Sequence, residues 1–305
     1  MATVMRLVCG LALWLGAAAC SVKGVTYTPL GGEPSDGGPS DGPAVQDAAV
    51  LVDAAVDDGP AIDGAPAAPG TMENPARTCA ELQGIGAPSG AYWVRDPRDG
   101  SAVEVYCEQA LNGGGWAMVA NSVRRADGTT LAFWQFPHAD RLTRRGTPAA
   151  DQNYYQGGLY VIGREYMDVV VDLQGKSAVA AVMTATGIDP ETMKLETPMK
   201  ISGNQSLFVN QFASGWSARD YDGDLHAPYN CGAYYSNVAQ HYGACWAYSL
   251  GSDADGDASN PDAPFADNGV GPHVHFGVLN EFGLARQPGG GDYSQVQRIA
   301  RFTRW

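Results

Sequence analysis

Basic residues are scarce in this chain. Its 19 lysines and arginines face 33 aspartates and glutamates, for a formal net charge of −14 over 305 residues. Such a surface repels polyanions, which excludes nucleic acid and anionic lipid headgroups as natural partners. The same carboxylate excess suits hard cations such as calcium, which take oxygen ligands. The sequence has no GxSxG elbow, no HExxH helix and no GxxxxGK[ST] phosphate loop, so the usual local signatures of hydrolases and nucleotide-binding enzymes are missing. We therefore read it as a non-enzymatic chain. CxxC spacing is also absent, which argues against a cysteine-built zinc centre. Beyond the first twenty residues no apolar run is long enough to span a bilayer.

Residues 1–19 have the pattern of an export signal: Arg6, an apolar stretch from Leu7 to Leu15, then the small residues Ala17, Ala18 and Ala19. Cys20 follows at once. A small-residue run ending in cysteine resembles the bacterial lipoprotein lipobox, although Ala17 stands where that motif prefers leucine. The resemblance implies a diacylated Cys20 as mature N-terminus and a protein lipid-anchored to the bacterial outer membrane or cell surface, with the lipid as its one contact with the membrane. The alternative is ordinary signal cleavage beside an incidental cysteine. Residues 20–74 are rich in Asp, Gly, Pro and Ala and hold few large apolar side chains. Such a segment cannot bury enough surface to offset its ordering entropy, so a disordered tether is expected.

Four further cysteines remain: Cys79, Cys107, Cys231 and Cys245. An even number in an exported chain indicates disulfides. Of the three connectivities, proximity in sequence favours Cys79–Cys107 and Cys231–Cys245, each worth about 3 kcal/mol in the chain-entropy picture.

The stretch VYCEQALNGGGW, Val105 to Trp116, reads as a strand end, a glycine turn and the start of a second strand. Upstream, Thr78 to Leu82 reads as a helix start, Ser89 to Val94 as a turn into a strand, and Asp99-Gly100 as a hairpin turn returning through Ala102–Cys107. A generic secreted β-hairpin would meet these requirements too. The order TCAEL, SGAYWV, DG, VEVYCE, NGGGW, however, resembles the opening of a fibrinogen-like (fibrinogen C-terminal) domain. SARDYDGDLHAPYNC (Ser217–Cys231) resembles that family's calcium loop, QHYGACWAY (Gln240–Tyr248) its aromatic segment, and Val296–Trp305 its closing strand. Between these lie seven short β-rich segments: 131–136, 159–162, 167–173, 178–184, 193–195, 199–201 and 207–212. They predict strands of a twisted, mostly antiparallel sheet; the helix usual in the family is not recognisable there. The resemblance implies an α+β fibrinogen-like domain over 75–305, with a central sheet, short helices, a loop-rich calcium and ligand subdomain, and two disulfides.

Asp220, Asp222 and Asp224 alternate, so in an irregular loop their carboxylates can converge on one cation. An EF-hand is excluded, because Leu225 and Cys231 occupy the positions that need glycine and glutamate. By resemblance, Ca2+ is held by Asp222 and Asp224 with the main-chain oxygens of His226 and Pro228; the alternative is a solvated acidic loop. Asp253, Asp255 and Asp257 repeat the spacing and form a possible second cation site or a plain acidic loop. Tyr235, His241, Tyr242, Trp246 and Tyr248 surround the Cys231–Cys245 link. Aromatic faces with polar tips are what a sugar pocket needs, and the competing reading is a stapled aromatic minicore. His273 and His275 alternate, so on a strand both would face one side; the pair reads as a polar strand face or pocket edge, the alternative being half of a transition-metal site.

These features lead to a calcium-supported, lectin-like recognition module at a cell surface. Its partner would be carbohydrate or a surface glycoconjugate, acetylated sugars included. The alternative is a protein–protein adhesion module that takes peptide ends or surface proteins in the same pocket.

Overall fold

A computed structural model describes residues 67–125, 129–204, 209–243, 247–251, 271–287 and 293–305. The signal segment, Cys20 and most of the tether lie outside the described residues. So do Cys245, Trp246, Asp253, Asp255 and Asp257. The chain joins the folded head ahead of the expected start at residue 75, since the Gly70 carbonyl accepts the Trp93 N–H at 2.9 Å.

Helix α1 (Cys79–Gly84) begins where the sequence places it. Thr78 is its N-cap, its hydroxyl accepting the Glu81 N–H at 3.2 Å, while the Glu81 carboxylate reaches back to the Arg77 N–H at 2.5 Å. Strands β1 (Gly90–Arg95) and β2 (Ala102–Glu108) pair antiparallel around the Asp99-Gly100 turn. A disulfide joins Cys79 to Cys107, tying α1 to the sheet. The turn into β3 (Trp116–Val123) has four consecutive residues at positive φ, Asn112 through Gly115. Gly114 is required for space as well, because a Cβ there would lie 2.4 Å from the Gln109 carbonyl oxygen.

Next come α2 (Thr129–Trp134), β4 (Arg144–Gly146), β5 (Tyr154–Gln156), α3 (Gly157–Ile162), β6 (Glu165–Val171), β7 (Ser177–Thr184), β8 (Gly187–Ile188), β9 (Leu195–Glu196) and β10 (Met199–Gly203). Helix α4 (Asn210–Ser214), β11 (Trp216–Ser217), α5 (Cys231–Tyr234), β12 (Gln240–His241), β13 (Tyr248–Ser249), β14 (His273–His275), α6 (Phe276–Glu281), β15 (Tyr293–Gln295) and β16 (Arg298–Arg304) complete the described chain.

Three of the expected strands are helical instead. Segment 131–136 lies largely in α2, 159–162 in α3 and 207–212 partly in α4. Their β-branched and aromatic residues gave a strand signal that tertiary packing overrides. Trp134, Phe136, Leu159, Tyr160 and Phe212 are all buried against the sheet. At the start of α3, a Cβ on Gly157 would fall 1.9 Å from the Arg141 carbonyl oxygen, so only glycine admits the approach.

The main sheet runs β1-β2-β3-β16-β6-β7-β10, with β4 and β5 attached at β3, and every pairing in it is antiparallel. The closing strand β16 thus lies between β3 and β6, with Ala300 opposite Asn121 on one side and Val169 on the other. All eight residues of β3 are buried. Its alternation feeds two cores: Trp116 and Met118 pack with Met167 and Phe302 on one face, while Ala117 and Val119 join the larger cluster on the other. Each large side chain so buried contributes about 1.5–3 kcal/mol.

Candidate functional site

The loop between β11 and α5 is organised by Ser217, whose side chain is fully buried. Its hydroxyl accepts the N–H groups of Gly223 and Asp224, both at 3.1 Å, and donates to Asp224 Oδ2 at 2.8 Å. Asp224 also accepts the Cys231 N–H on Oδ2 at 2.9 Å and the His226 N–H on Oδ1 at 2.8 Å. Asn230 closes the loop, donating to the Ala218 carbonyl at 2.8 Å and accepting the Ala233 N–H to cap α5. Nothing in the local sequence marks Ser217 or Asn230 as organisers; each acts across several residues on a loop of no regular period.

Of the three alternating aspartates, Asp222 and Asp224 come together. Burial and the nearby Asp224 carboxylate both push the Asp222 carboxyl above its ordinary value. Asp220 instead accepts the His138 N–H at 2.8 Å, binding the loop to the 3₁₀ turn at His138–Asp140. Among the described residues no three His, Cys, Asp or Glu side chains gather as a metal cluster. A hard cation here would have two side-chain carboxylates, with carbonyls and water as its remaining oxygen ligands. Two adjacent carboxylates each disfavour the other's ionised form, which is part of what raises the Asp222 carboxyl.

Half-buried aromatic rings flank these carboxylates. His138 stacks on Tyr221 with centroids 3.8 Å apart, and its imidazole is held below its ordinary pKa by burial and by Arg141. On the other side His226 leans on Tyr229 at 4.1 Å, and Tyr229 stacks on Tyr234 at 4.3 Å. The ring atoms His138 Nε2 and His226 Nδ1 are buried, with no hydrogen-bond partner among the described residues. Leu225, at the loop's tip, is 63% exposed.

The sequence-selected pocket residues are placed differently. His241, Tyr242 and Tyr248 are fully buried and Tyr235 nearly so. Tyr242 donates its hydroxyl to the Val238 carbonyl at 2.9 Å, and Tyr235 packs beside it. Both His241 nitrogens are engaged, Nδ1 with the Tyr160 hydroxyl at 3.2 Å and Nε2 with the Met193 carbonyl at 2.8 Å. Burial and the Arg301 charge depress its pKa to about 3, so the ring is neutral. These side chains form a core beneath the loops, which corrects the expectation that they contact ligand directly. Cys231 is buried with them; its expected partner Cys245 lies outside the described residues.

No family model and no curated protein matches this chain. Solved structures do. The fibrinogen-like globe domain of human ANGPTL6 matches with a TM-score of 0.52 and 23% identity, over 76% of this chain and 96% of that one. The fibrinogen-like globe domain of human ANGPTL2 matches with a TM-score of 0.50 and 17% identity, over 75% of this chain and 99% of that one. The fold is fibrinogen-like.

The near-complete cover of both globe domains accounts for the described head as one fibrinogen-like unit. Its antiparallel sheet, short helices and Cys79–Cys107 disulfide agree with the α+β class that the sequence resemblance implies. In this fibrinogen-like head His273 is buried rather than on a polar strand face, and its Nδ1 lies 2.9 Å from the Gly271 carbonyl.

Proposed function

We propose that the head is a non-enzymatic recognition module whose binding face is the Ser217–Cys231 loop with its flanking aromatic rings, and that calcium bound at Asp222 and Asp224 supports it. The adjacency of those two carboxylates carries the reading: with no counter-charge their repulsion is unfavourable, and a divalent cation relieves it. Calcium would supply no chemistry. It would fix the loop in advance and so reduce the ordering cost of binding.

Carbohydrate is the ligand class we favour. Tyr221, His226 and Tyr229 on the loop and Tyr234 at the end of α5 are half-buried rings with polar tips, the mix of apolar face and hydrogen-bonding group that a sugar takes. Exposed Leu225 favours a second reading, protein–protein adhesion, because an apolar tip contributes more to a protein contact than to a sugar. Display from a lipid-anchored tether at a bacterial surface belongs to the same proposal and rests on the sequence around Cys20. A second cation at Asp253, Asp255 and Asp257 rests likewise on sequence alone.

The test is a glycan-array screen of residues 67–305 in calcium and in chelator. Calcium-dependent binding to a coherent set of sugars is the expected result. A folded head that binds no glycan in either condition would overturn the carbohydrate reading and turn the work to surface-protein pull-downs.

A further inference from the structure

Arg301 on β16 is fully buried and reaches from the main sheet into the layer that carries the candidate binding loops. Its Nε donates to Asp168 Oδ1 at 2.6 Å and its Nη2 to Asp168 Oδ2 at 2.9 Å, a two-point ion pair across β16 and β6. Nη2 also donates to the Tyr248 hydroxyl at 3.0 Å, and Nη1 donates to the Tyr160 hydroxyl. Its guanidinium lies 3.5 Å from the centroid of the Phe212 ring in α4.

The chain of bonds continues, and its direction is fixed. Because the Tyr160 oxygen accepts from Arg301, its own proton is free to point at His241 Nδ1. A carbonyl only accepts, so His241 Nε2 carries the ring proton and donates it to Met193. Arg301 to Tyr160 to His241 to the Met193 carbonyl is therefore one relay with a single proton arrangement. It ends on a residue in left-handed backbone, Met193, at φ 56°. One cation thus touches or directs α3, α4, β6, β12, β13 and the turn before β9.

We infer that Arg301 is the positioning residue of the layer beneath the candidate binding loop, setting Tyr248 directly and His241 through Tyr160, so that the central sheet orients β12, whose Gln240 pairs with Ser217 at the start of that loop. The inference rests on the proposed function only in naming that loop as the binding loop; the positioning itself is measured without any ligand. A purely hydrophobic substitute would fill the space, but it could not fix the hydroxyl and imidazole directions.

The experiment uses residues 67–305, with imidazole 15N spectra and amide hydrogen exchange, for the wild type, Tyr160→Phe and Arg301→Lys. In the wild type His241 should show one neutral tautomer, protonated at Nε2. In Tyr160→Phe the Met193 carbonyl still holds the proton on Nε2, so the tautomer should persist, while Nδ1 loses its donor and exchange over 240–243 and 247–251 should quicken at least about tenfold while β6 and β7 keep their protection. Arg301→Lys keeps the charge but loses the two-point fork, and should give the same selective loosening. A wild-type His241 protonated at Nδ1 overturns the inference without any variant. So does equal loosening of the sheet and the layer beneath the loop, which would mean that the network only stabilises the whole domain. Failure of glycan binding with this pattern intact would count against the proposed function alone.

Discussion

Ser217 holds Asp224 from two directions, donating its hydroxyl to Oδ2 at 2.8 Å and accepting the Asp224 N–H at 3.1 Å. Ser217→Ala should therefore disturb the acidic loop, leaving the N–H groups of Gly223 and Asp224 without their acceptor. A loss of about 1–3 kcal/mol is expected from orphaning buried polar groups. Urea unfolding of the variant in chelator checks it. An unchanged midpoint would mean that water replaces the hydroxyl at no cost.

Asp222 yields a prediction of opposite sign. Its carboxyl is raised in the folded state, so the fold holds that proton more tightly than the unfolded chain does. Its ionisation therefore subtracts stability as pH rises from the ordinary value of 3.8 through the folded value, and the deficit persists at neutral pH. In chelator, Asp222→Asn should stabilise the head slightly, by less than about 1 kcal/mol at so exposed a site. In calcium the same variant should lose the stabilisation that the cation gives the wild type. Paired melting curves in the two conditions decide it, and a lower midpoint in chelator would contradict the repulsion.

Acid should act through His241. Its folded pKa of about 3 lies below the unfolded 6.5, so the unfolded chain takes up a proton that the fold refuses. Stability contributed by the neutral ring is intact above pH 6.5 and falls progressively towards pH 3. The slope is about 1.4 kcal/mol per pH unit, or about 2–3 kcal/mol lost by pH 4.5. His241→Gln, which still donates and accepts, should flatten that slope in a series of chemical denaturations from pH 7 to 4.5. Identical slopes in the two proteins would assign the acid sensitivity to carboxylates.

Breaking the Asp168–Arg301 pair from one side should cost far more than removing both charges. Asp168→Ala leaves a buried guanidinium uncompensated and should lose about 3–5 kcal/mol. The double variant Asp168→Leu with Arg301→Met should recover most of that loss. A double-mutant cycle in urea measures it, and simple additivity would show that the two charges do not interact.

The parts of this fold visible in the sequence are those fixed by local chemistry. Asn112-Gly113-Gly114-Gly115 takes positive φ at each position, Thr78 caps α1, and Cys79 meets Cys107. Residues 159–162 and 131–136 look like strand because they are rich in aromatic and aliphatic side chains, yet they coil because the sheet below offers a face for Trp134 and Tyr160. The aromatic segment after Cys231 looked like a pocket because composition does not say which side of a ring meets water. The Arg301 network was the least legible, since its members lie far apart in sequence. One signal was present: Asp168 stands within MDVVV and Arg301 within IARF, opposite charges each flanked by apolar residues, and such an arrangement suggests a pair.

The position of β16 also constrains how the protein is made. Every strand it joins precedes it, so the ribosome releases the seam of the sheet after both halves. A chain that stops before Arg298 holds β1–β3 on one side and β6, β7 and β10 on the other, with no strand hydrogen-bonded between β3 and β6. Both strands then present open edges toward each other, so a truncation there should expose a site for pairing with another chain.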